Sequence, residues 1–245
     1  MLKITIVTVC LNAENSIEKT ILSVINQTYP NVEYIVQDGQ STDNTLNIVK
    51  KYQATYSIQV YSEKDTGLYQ AMNRAIYHAS GDYILFLNSN DVLCNDRVLE
   101  KIAMQLQYDI VMGNVIRIKE HGEQIEKYGS RRKVFLMLLS GRMPCHQVIF
   151  ARRELLLELG GFQEKYTICA DFDFMVRCCK RKATMYWADI DTSIVDCITG
   201  ISSQNDNLNK MRYQDDMSIK ENYPVWYILM YPIKYIKRRL ETRVQ

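Results

Sequence analysis

Four small polar residues in a row, Asn88-Ser89-Asn90-Asp91, carry clear potential for chemistry. They follow Tyr83 to Leu87, a short apolar run with β-branched and aromatic members that opens after Gly81. Such a run reads as a buried strand, and the polar cluster as its C-terminal end. In open α/β sheets, ligands sit outside those strand ends. Asp91 is a hard oxygen ligand, and Asn88 and Asn90 offer carbonyl oxygens. Together they suit Mg²⁺ or Mn²⁺ shared with a diphosphate. The plain alternative is a polar turn that carries no chemistry.

Other elements must position this cluster. Ile4 to Cys10 reads as a first buried strand, followed by a polar loop from Leu11 to Glu14. Asn15 and Glu18 have capping-box spacing, and the helix behind them sets Ile17, Ile21, Leu22 and Ile25 on one face. Glu33 to Gln37 is a second strand, and Asp38 to Asp43 a turn into a helix capped by Ser41 or Thr42. Ile58 to Tyr61 is a third strand, Ser62 to Gly67 a loop, and Leu68 to Ala79 a helix. Strand and helix thus alternate four times up to Asp91, which argues for a parallel, right-handed α/β sheet with a nucleotide-sized crevice.

Beyond Asp91 the rhythm changes. Val98 to Leu106 reads as helix, Asp109 to Met112 as strand, and Asn114–Lys119 with Gln124–Tyr128 as a hairpin around His121-Gly122. A helix over 134–140, a strand over 148–151, and a helix over 154–159 closed by Gly160-Gly161 follow. Phe172 to Cys179 is helical, a strand lies near Ser193, and two helices part near Pro224. This half reads as completing the site rather than as a separate unit.

The 245 residues are 47% apolar, enough for one large α/β domain or two small ones. A net charge of +2 is too small to argue for nucleic acid. The seven cysteines are odd in number and form no Cys-x-x-Cys pair, which with no signal-peptide pattern at residues 1–10 suggests reduced thiols in a cytosolic protein. No segment has the ~18 uncharged apolar residues of a membrane span.

Six short motifs, in order, resemble the family-2 glycosyltransferases: Ile4 to Asn12, Gln37 to Asp43, Ala71-Met72-Asn73, Gly81 to Asp91, Gly160-Gly161-Phe162 and Ala170 to Asp173. The stretch Ser62-Glu63-Lys64-Asp65-Thr66-Gly67-Leu68-Tyr69 resembles members that build bacterial surface polysaccharides. The resemblance covers roughly residues 1–200, divided near 112 into a nucleotide-binding and an acceptor half, with a helical extension over 201–245.

It implies a GT-A fold, a Rossmann-like, mostly parallel sheet flanked by helices, with a nucleotide-sugar donor and inverting transfer. Thr8, Asn12, Asp38, Asp65, Arg74, Asn88, Ser89 and Asn90 match nucleotide-binding positions. Asp38 could accept from a uracil N–H, or close an Asx turn under Gly39. Asp91 and Asn90 match the metal motif, usually Asp-x-Asp followed by another Asp. Asn88 and Asn90 depart from it and remove two negative charges. Asp171 matches the catalytic base, although Ala170 replaces the usual preceding Glu. Such a base takes a proton from the acceptor hydroxyl as it attacks the anomeric carbon. His146, Gly161 and Phe162 match the acceptor or sugar pocket, and equally fit a satisfied, half-buried histidine and a helix C-cap with a core Phe. Asp173 reads as a helix N-terminal acid, and His78 and His121 as surface residues.

The tail Val225 to Ile233, aromatic and apolar, precedes Lys234, Lys237, Arg238, Arg239 and Arg243. That pairing suits either contact with an anionic membrane surface or a helix that packs on the domain and turns a basic face to water; the resemblance implies the first, at the inner face of the plasma membrane. The implied acceptor is a growing, lipid-diphosphate-linked glycan. A nucleotidyltransferase is disfavoured, because Leu11 to Ser16 has neither glycine nor basic residue. A catalytically silent nucleotide-binding scaffold is the rival that Asn90 and Ala170 keep open.

Overall fold

In the computed structural model, which describes residues 1–120, 122–197 and 205–229, the apolar runs of the first half become parallel neighbours. Strands β1 (Ile4–Cys10), β2 (Val32–Asp38), β3 (Ile58–Ser62) and β4 (Tyr83–Phe86) alternate with helices α1 (Ile17–Ile25), α2 (Thr45–Gln53) and α3 (Leu68–His78). They lie in the order β3-β2-β1-β4, all parallel. The loops after Cys10, Asp38 and Phe86 therefore share one rim of the sheet. Both faces are covered. Val7, Val9 and Ile35 pack beneath α3, while Ile4, Ile6, Tyr34 and Val36 pack beneath α1 and α2. That double burial is why these strands read as unbroken apolar runs rather than alternating ones.

The second half extends the same sheet. It comprises β5 (Val92–Leu93), α4 (Val98–Ala103), β6 (Ile110–Lys119), β7 (Gly122–Glu126), α5 (Arg131–Leu139), a 3₁₀ turn at His146–Val148, β8 (Ile149–Arg152), α6 (Arg153–Glu158), α7 (Ala170–Lys180), β9 (Met185–Asp196) and α8 (Asn205–Asn222). The order continues β4-β8-β6-β9-β5, with β7 paired to β6. Strand β8 is antiparallel to both neighbours, while β9 runs parallel to β6. The sheet is mixed, with its parallel character concentrated in the first four strands. This is the expected α/β architecture.

Several local expectations give way. The two strand pieces expected around position 113 are one strand, β6, whose pairing with β9 slips between Met112 and Asn114. Gly113 allows it, since a Cβ there would collide with the Thr192 side chain. Strand β5, two residues long, is too short to show any period. The capping box at Asn15 does not form. Ser16 precedes α1 without a side-chain cap, and Glu18 instead accepts from Tyr52 and Lys51 on α2. The N-cap of α2 is Asn44, not Ser41 or Thr42, and it makes no side-chain cap; Asp43, just before it, accepts from the Thr45 N–H at 3.0 Å. His78 stacks on Tyr61 at 3.7 Å. His121 lies outside the described residues, as does the chain from 230 to 245. Helix α8 ends at Asn222 and a second helical stretch runs over 224–229, as expected from Pro224. Among the described residues no helix is long and apolar enough to cross a membrane.

Candidate active site

The 3₁₀ turn at His146-Gln147 joins two motifs far apart in sequence. It lies between α5 and β8, beside the C-terminal end of β4. His146 Nδ1 lies 3.0 Å from Asp171 Oδ2, and its Nε2 lies 3.2 Å from Asn88 Nδ2. The consistent proton arrangement has Nδ1–H donating to the carboxylate and Nε2 accepting from the Asn88 amide. One residue on, Gln147 Nε2 donates to Asp91 Oδ2 at 2.8 Å. Ser193 of β9 donates to the Gln147 carbonyl, which fixes the turn from the far side.

Asp171 stands in the first turn of α7. Its Oδ1 accepts from its neighbour's Phe172 N–H at 2.9 Å and lies 2.9 Å from the Tyr69 hydroxyl. Burial opposes ionisation of this carboxyl. The His146 ring, the Tyr69 hydroxyl and the Phe172 N–H outweigh burial and hold it below the ordinary carboxylate range. The side chains of His146 and Asp171 remain 19% and 16% exposed, so a substrate hydroxyl has an approach. An ionised carboxylate so placed can accept a proton.

At the end of β4 the four polar residues take separate tasks. Asp91 is only 4% exposed. Besides Gln147, the backbone N–H of Asp196 donates to its carboxylate, and burial pushes the carboxyl up. Thr20 of α1 holds the Asp91 carbonyl at 2.8 Å. Asp91 is thus a buried fastening between α1, β4, the 3₁₀ turn and β9, rather than the open metal ligand expected of it. Asn90 Nδ2 donates to Asp196 Oδ2 at 2.9 Å. Asn88 Oδ1 is buried and has no protein partner, and Ser89 is half-buried. No group of three or more His, Cys, Asp or Glu side chains able to hold a metal occurs among the described residues. The hard oxygens grouped here besides Asp91 are the amides of Asn88 and Asn90 and the Asp196 carboxylate, the last two already engaged with each other. With a diphosphate, that set fits a hard cation, which needs only one or two protein carboxylates.

The remaining expected residues divide between rim and interior. Thr8 is fully buried, with its hydroxyl 3.1 Å from Tyr34 OH. Asp38 is fully buried and accepts from Ser41 N–H, Ser41 Oγ and Ser62 Oγ. This is closer to the Asx-turn alternative than to a carboxylate open to a base. Asn12, at φ 50°, links the rim loops, accepting from the Thr42 N–H at 2.9 Å. Asp65 accepts from the Gly67 N–H, and Arg74 donates to the Lys64 carbonyl while pairing with Glu63.

Gly161 and Phe162 are both buried. Phe162 is buried against Tyr69, Phe86 and Phe174, and Asn73 clamps its backbone on both sides at 2.8 Å. Asp173 is fully buried, paired with Arg177 at 2.6 Å and bonded by Ser218 of α8. Its role is to tie α7 to α8 rather than to favour a helix dipole.

Sequence reasoning missed Gln147 as the partner of Asp91, Tyr69 as a partner of Asp171, and Asp196. Gln147 and Tyr69 had a faint signal, adjacency to His146 and membership of the 62–69 stretch. Asp196 had none.

A family model described as glycosyl transferase family 2 matches residues 5–160. A PGL/p-HBAD biosynthesis glycosyltransferase from Mycobacterium bovis is 33% identical over 162 residues, which cover 64% of this chain and 61% of that protein. The chain therefore spans less than two thirds of the length of that relative. An uncharacterized glycosyltransferase from Haemophilus influenzae is 30% identical over 182 residues, 72% of each chain. Among solved structures, S. aureus TarS 1–349 in complex with UDP-GlcNAc superposes with a TM-score of 0.73 at 20% identity, over 91% of this chain and 68% of that one. Mannosyltransferase PcManGT from Pyrobaculum calidifontis, in complex with GDP-Man and Mn²⁺, gives 0.72 at 17% identity, over 96% and 69%. At those identities the likeness is one of fold.

Proposed function

The chain belongs to glycosyl transferase family 2, and from that premise we propose that it transfers one sugar, with inversion, from a nucleotide-diphosphate donor to a hydroxyl of a growing surface glycan. The observation that carries this reading is the line of contacts Asp171–His146–Asn88, which couples a partly exposed, ionised carboxylate to the polar end of β4. Asp171 takes the proton of the acceptor hydroxyl. The freed oxygen forms its bond to the anomeric carbon from the face opposite the diphosphate, and the sugar–phosphate bond breaks. One carboxylate suffices, because no glycosyl-enzyme forms. His146 is a positioning residue that orients Asp171 through Nδ1.

The donor is a UDP-sugar, seated on the rim formed by Asn12, Asp65, Arg74 and the Asn88–Asn90 turn. Thr8 and Asp38 support that rim from below. Mg²⁺ or Mn²⁺, held by the oxygens at the end of β4, would neutralise charge on the departing diphosphate. Residues 1–200 form the transferase unit and the helices beyond it an extension. The acceptor is a lipid-diphosphate-linked glycan at the inner face of the plasma membrane, met through the exposed apolar residues Val225, Trp226, Ile228 and Leu229.

The amide at Asn90 and the alanine at Ala170 favour one second reading, a member that binds nucleotide without turnover. Incubation with UDP-, GDP- and CDP-sugars, with an undecaprenyl-diphosphate-linked sugar as acceptor, separates the two. Release of UDP with product of inverted anomeric configuration is the expected result. Nucleotide binding without release on any acceptor tested would favour the silent reading.

A further inference from the structure

The sheet order creates a pair that the sequence keeps 106 residues apart. Asn90 at the end of β4 and Asp196 at the end of β9 meet through Nδ2 and Oδ2 at 2.9 Å. Both are half-buried, so solvent reaches them, whereas Asp91 is 4% exposed and spent on the Gln147 amide and the Asp196 N–H. The buried, unpartnered Oδ1 of Asn88 is a further oxygen in the same turn.

Taking the transferase reading as given, we propose that Asp196 supplies the carboxylate that position 90 lacks, so that a Mg²⁺ or Mn²⁺ ion shared with the donor diphosphate is held by Asp196 and the Asn90 amide, not by Asp91. A hard cation in a nucleotide site needs one or two carboxylates, the phosphates and water supplying the rest. An amide at 90 on its own would leave the turn without a reachable acid. Asp196, arriving from the neighbouring part of the sheet, restores one negative charge. The Asn90 amide accommodates either state by half a turn about its terminal bond. Nδ2 faces Asp196 without the ion, and Oδ1 joins the carboxylate oxygens with it. Asp91 keeps a different task, holding the turn to β9 so that position 196 stays beside position 90.

The test is an exchange of carboxylates in the full chain, read by calorimetric titration of UDP in Mn²⁺ and in EDTA and by electron paramagnetic resonance of bound Mn²⁺. The unaltered chain is expected to bind UDP in EDTA and to gain on the order of tenfold or more with Mn²⁺, the scale on which ligand-shell changes act. Asp196→Asn is expected to remove that gain and the bound-Mn²⁺ signal while affinity in EDTA stays unchanged. Combining it with Asn90→Asp should restore both. Asp91→Asn is expected to lower the melting temperature and keep the gain.

An Asp196→Asn chain that keeps its Mn²⁺ gain would overturn the assignment. So would an exchange variant that melts normally yet recovers no Mn²⁺ binding, or an Asp91→Asn chain that melts normally and loses it. UDP binding by the unaltered chain that ignores Mn²⁺ would overturn the cation assignment and leave the transferase reading standing. Absence of all nucleotide binding, with or without metal, would overturn both.

Discussion

A carboxylate that accepts a proton near neutral pH must be ionised and must keep a lone pair within reach of the acceptor. Asp171 meets the first condition through His146, Tyr69 and the Phe172 N–H, and the second through its partial exposure. Asp171→Asn keeps shape and removes basicity. Transfer should fall by about 10² to 10⁴-fold, the usual worth of a general base. UDP affinity by calorimetry should be unchanged within error, and full turnover would remove Asp171 from the reaction. His146→Gln tests the positioning role with a sign. Burial works to raise the Asp171 carboxyl, and His146 is the foremost opposing group. Its loss raises the folded-state value, so the acidic limb of kcat/KM moves to higher pH. A limb that stays in place, with activity merely scaled, would reduce His146 to a spacer. Asp171 and His146 could be named from sequence because each sits in a compact motif. Asp196 could not, because no spacing rule links position 90 to a strand end 106 residues away; only the β8-β6-β9 order brings them together.

Elements, not single motifs, decide whether that geometry is held. Glu33 on β2 is the clearest fastening at the far end of the parallel strands. It accepts from Thr5 Oγ1 on β1 at 2.6 Å, from Ser80 N–H and Oγ beyond α3, and from Lys3 Nζ. Burial would raise its carboxyl, but those donors prevail and bring it from an ordinary 4.5 to about 2. Because the folded value is depressed, the stabilisation is present above pH 4.5 and is lost as pH falls through about 2. Glu33→Gln should cost about 1–3 kcal/mol at pH 7 in urea unfolding. The gap to the parent should narrow steadily below pH 4.5; a gap constant with pH would mean the amide, not the charge, is what the site misses.

Gly161 fastens the other side. It follows α6 at φ 65°, and a Cβ there would lie 2.5 Å from Asn73 Oδ1. Gly161→Ala should destabilise by about 1–3 kcal/mol and, by releasing the Asn73 clamp on Phe162, lower the melting temperature without changing nucleotide affinity. An unchanged melting temperature would show that α3 and α6 yield freely. The long apolar strands and their helices were legible because burial on both faces writes itself as uninterrupted apolar sequence. Strand β5 and most of the twelve residues of β9 were not, since β9 keeps no regular alternation and its pairing is set by distant strands; only the part near Ser193 reads as strand.

At the scale of the whole molecule, one end presents apolar and basic groups together. Val225, Trp226, Ile228 and Leu229 are exposed beyond α8. Trp226 stands edge-on to Phe135 of α5 at 6.4 Å. Beside it, Arg131, Arg132, Lys180 and Lys182 rim a hollow of about 370 Å³ floored by Phe135, Cys179 and Tyr223. Apolar side chains that enter the headgroup layer, ringed by cations, favour an anionic bilayer over a neutral one, at about 1 kcal/mol for each Lys or Arg near the surface. Such a surface would bring a lipid-linked acceptor to the transferase rather than leave it to bulk diffusion. The full chain should therefore cosediment with vesicles containing phosphatidylglycerol and not with phosphatidylcholine alone. Trp226→Glu with Ile228→Glu should abolish cosedimentation at unchanged melting temperature. Arg131→Glu with Lys180→Glu should weaken it in a manner that added salt mimics in the parent. Both pairs leave the Asp171–His146–Asn88 contacts untouched, so transfer to a soluble acceptor should persist while transfer to a vesicle-borne one falls. If vesicle binding survives both pairs, this end faces water or another protein, and the acceptor reaches Asp171 by a route independent of α8.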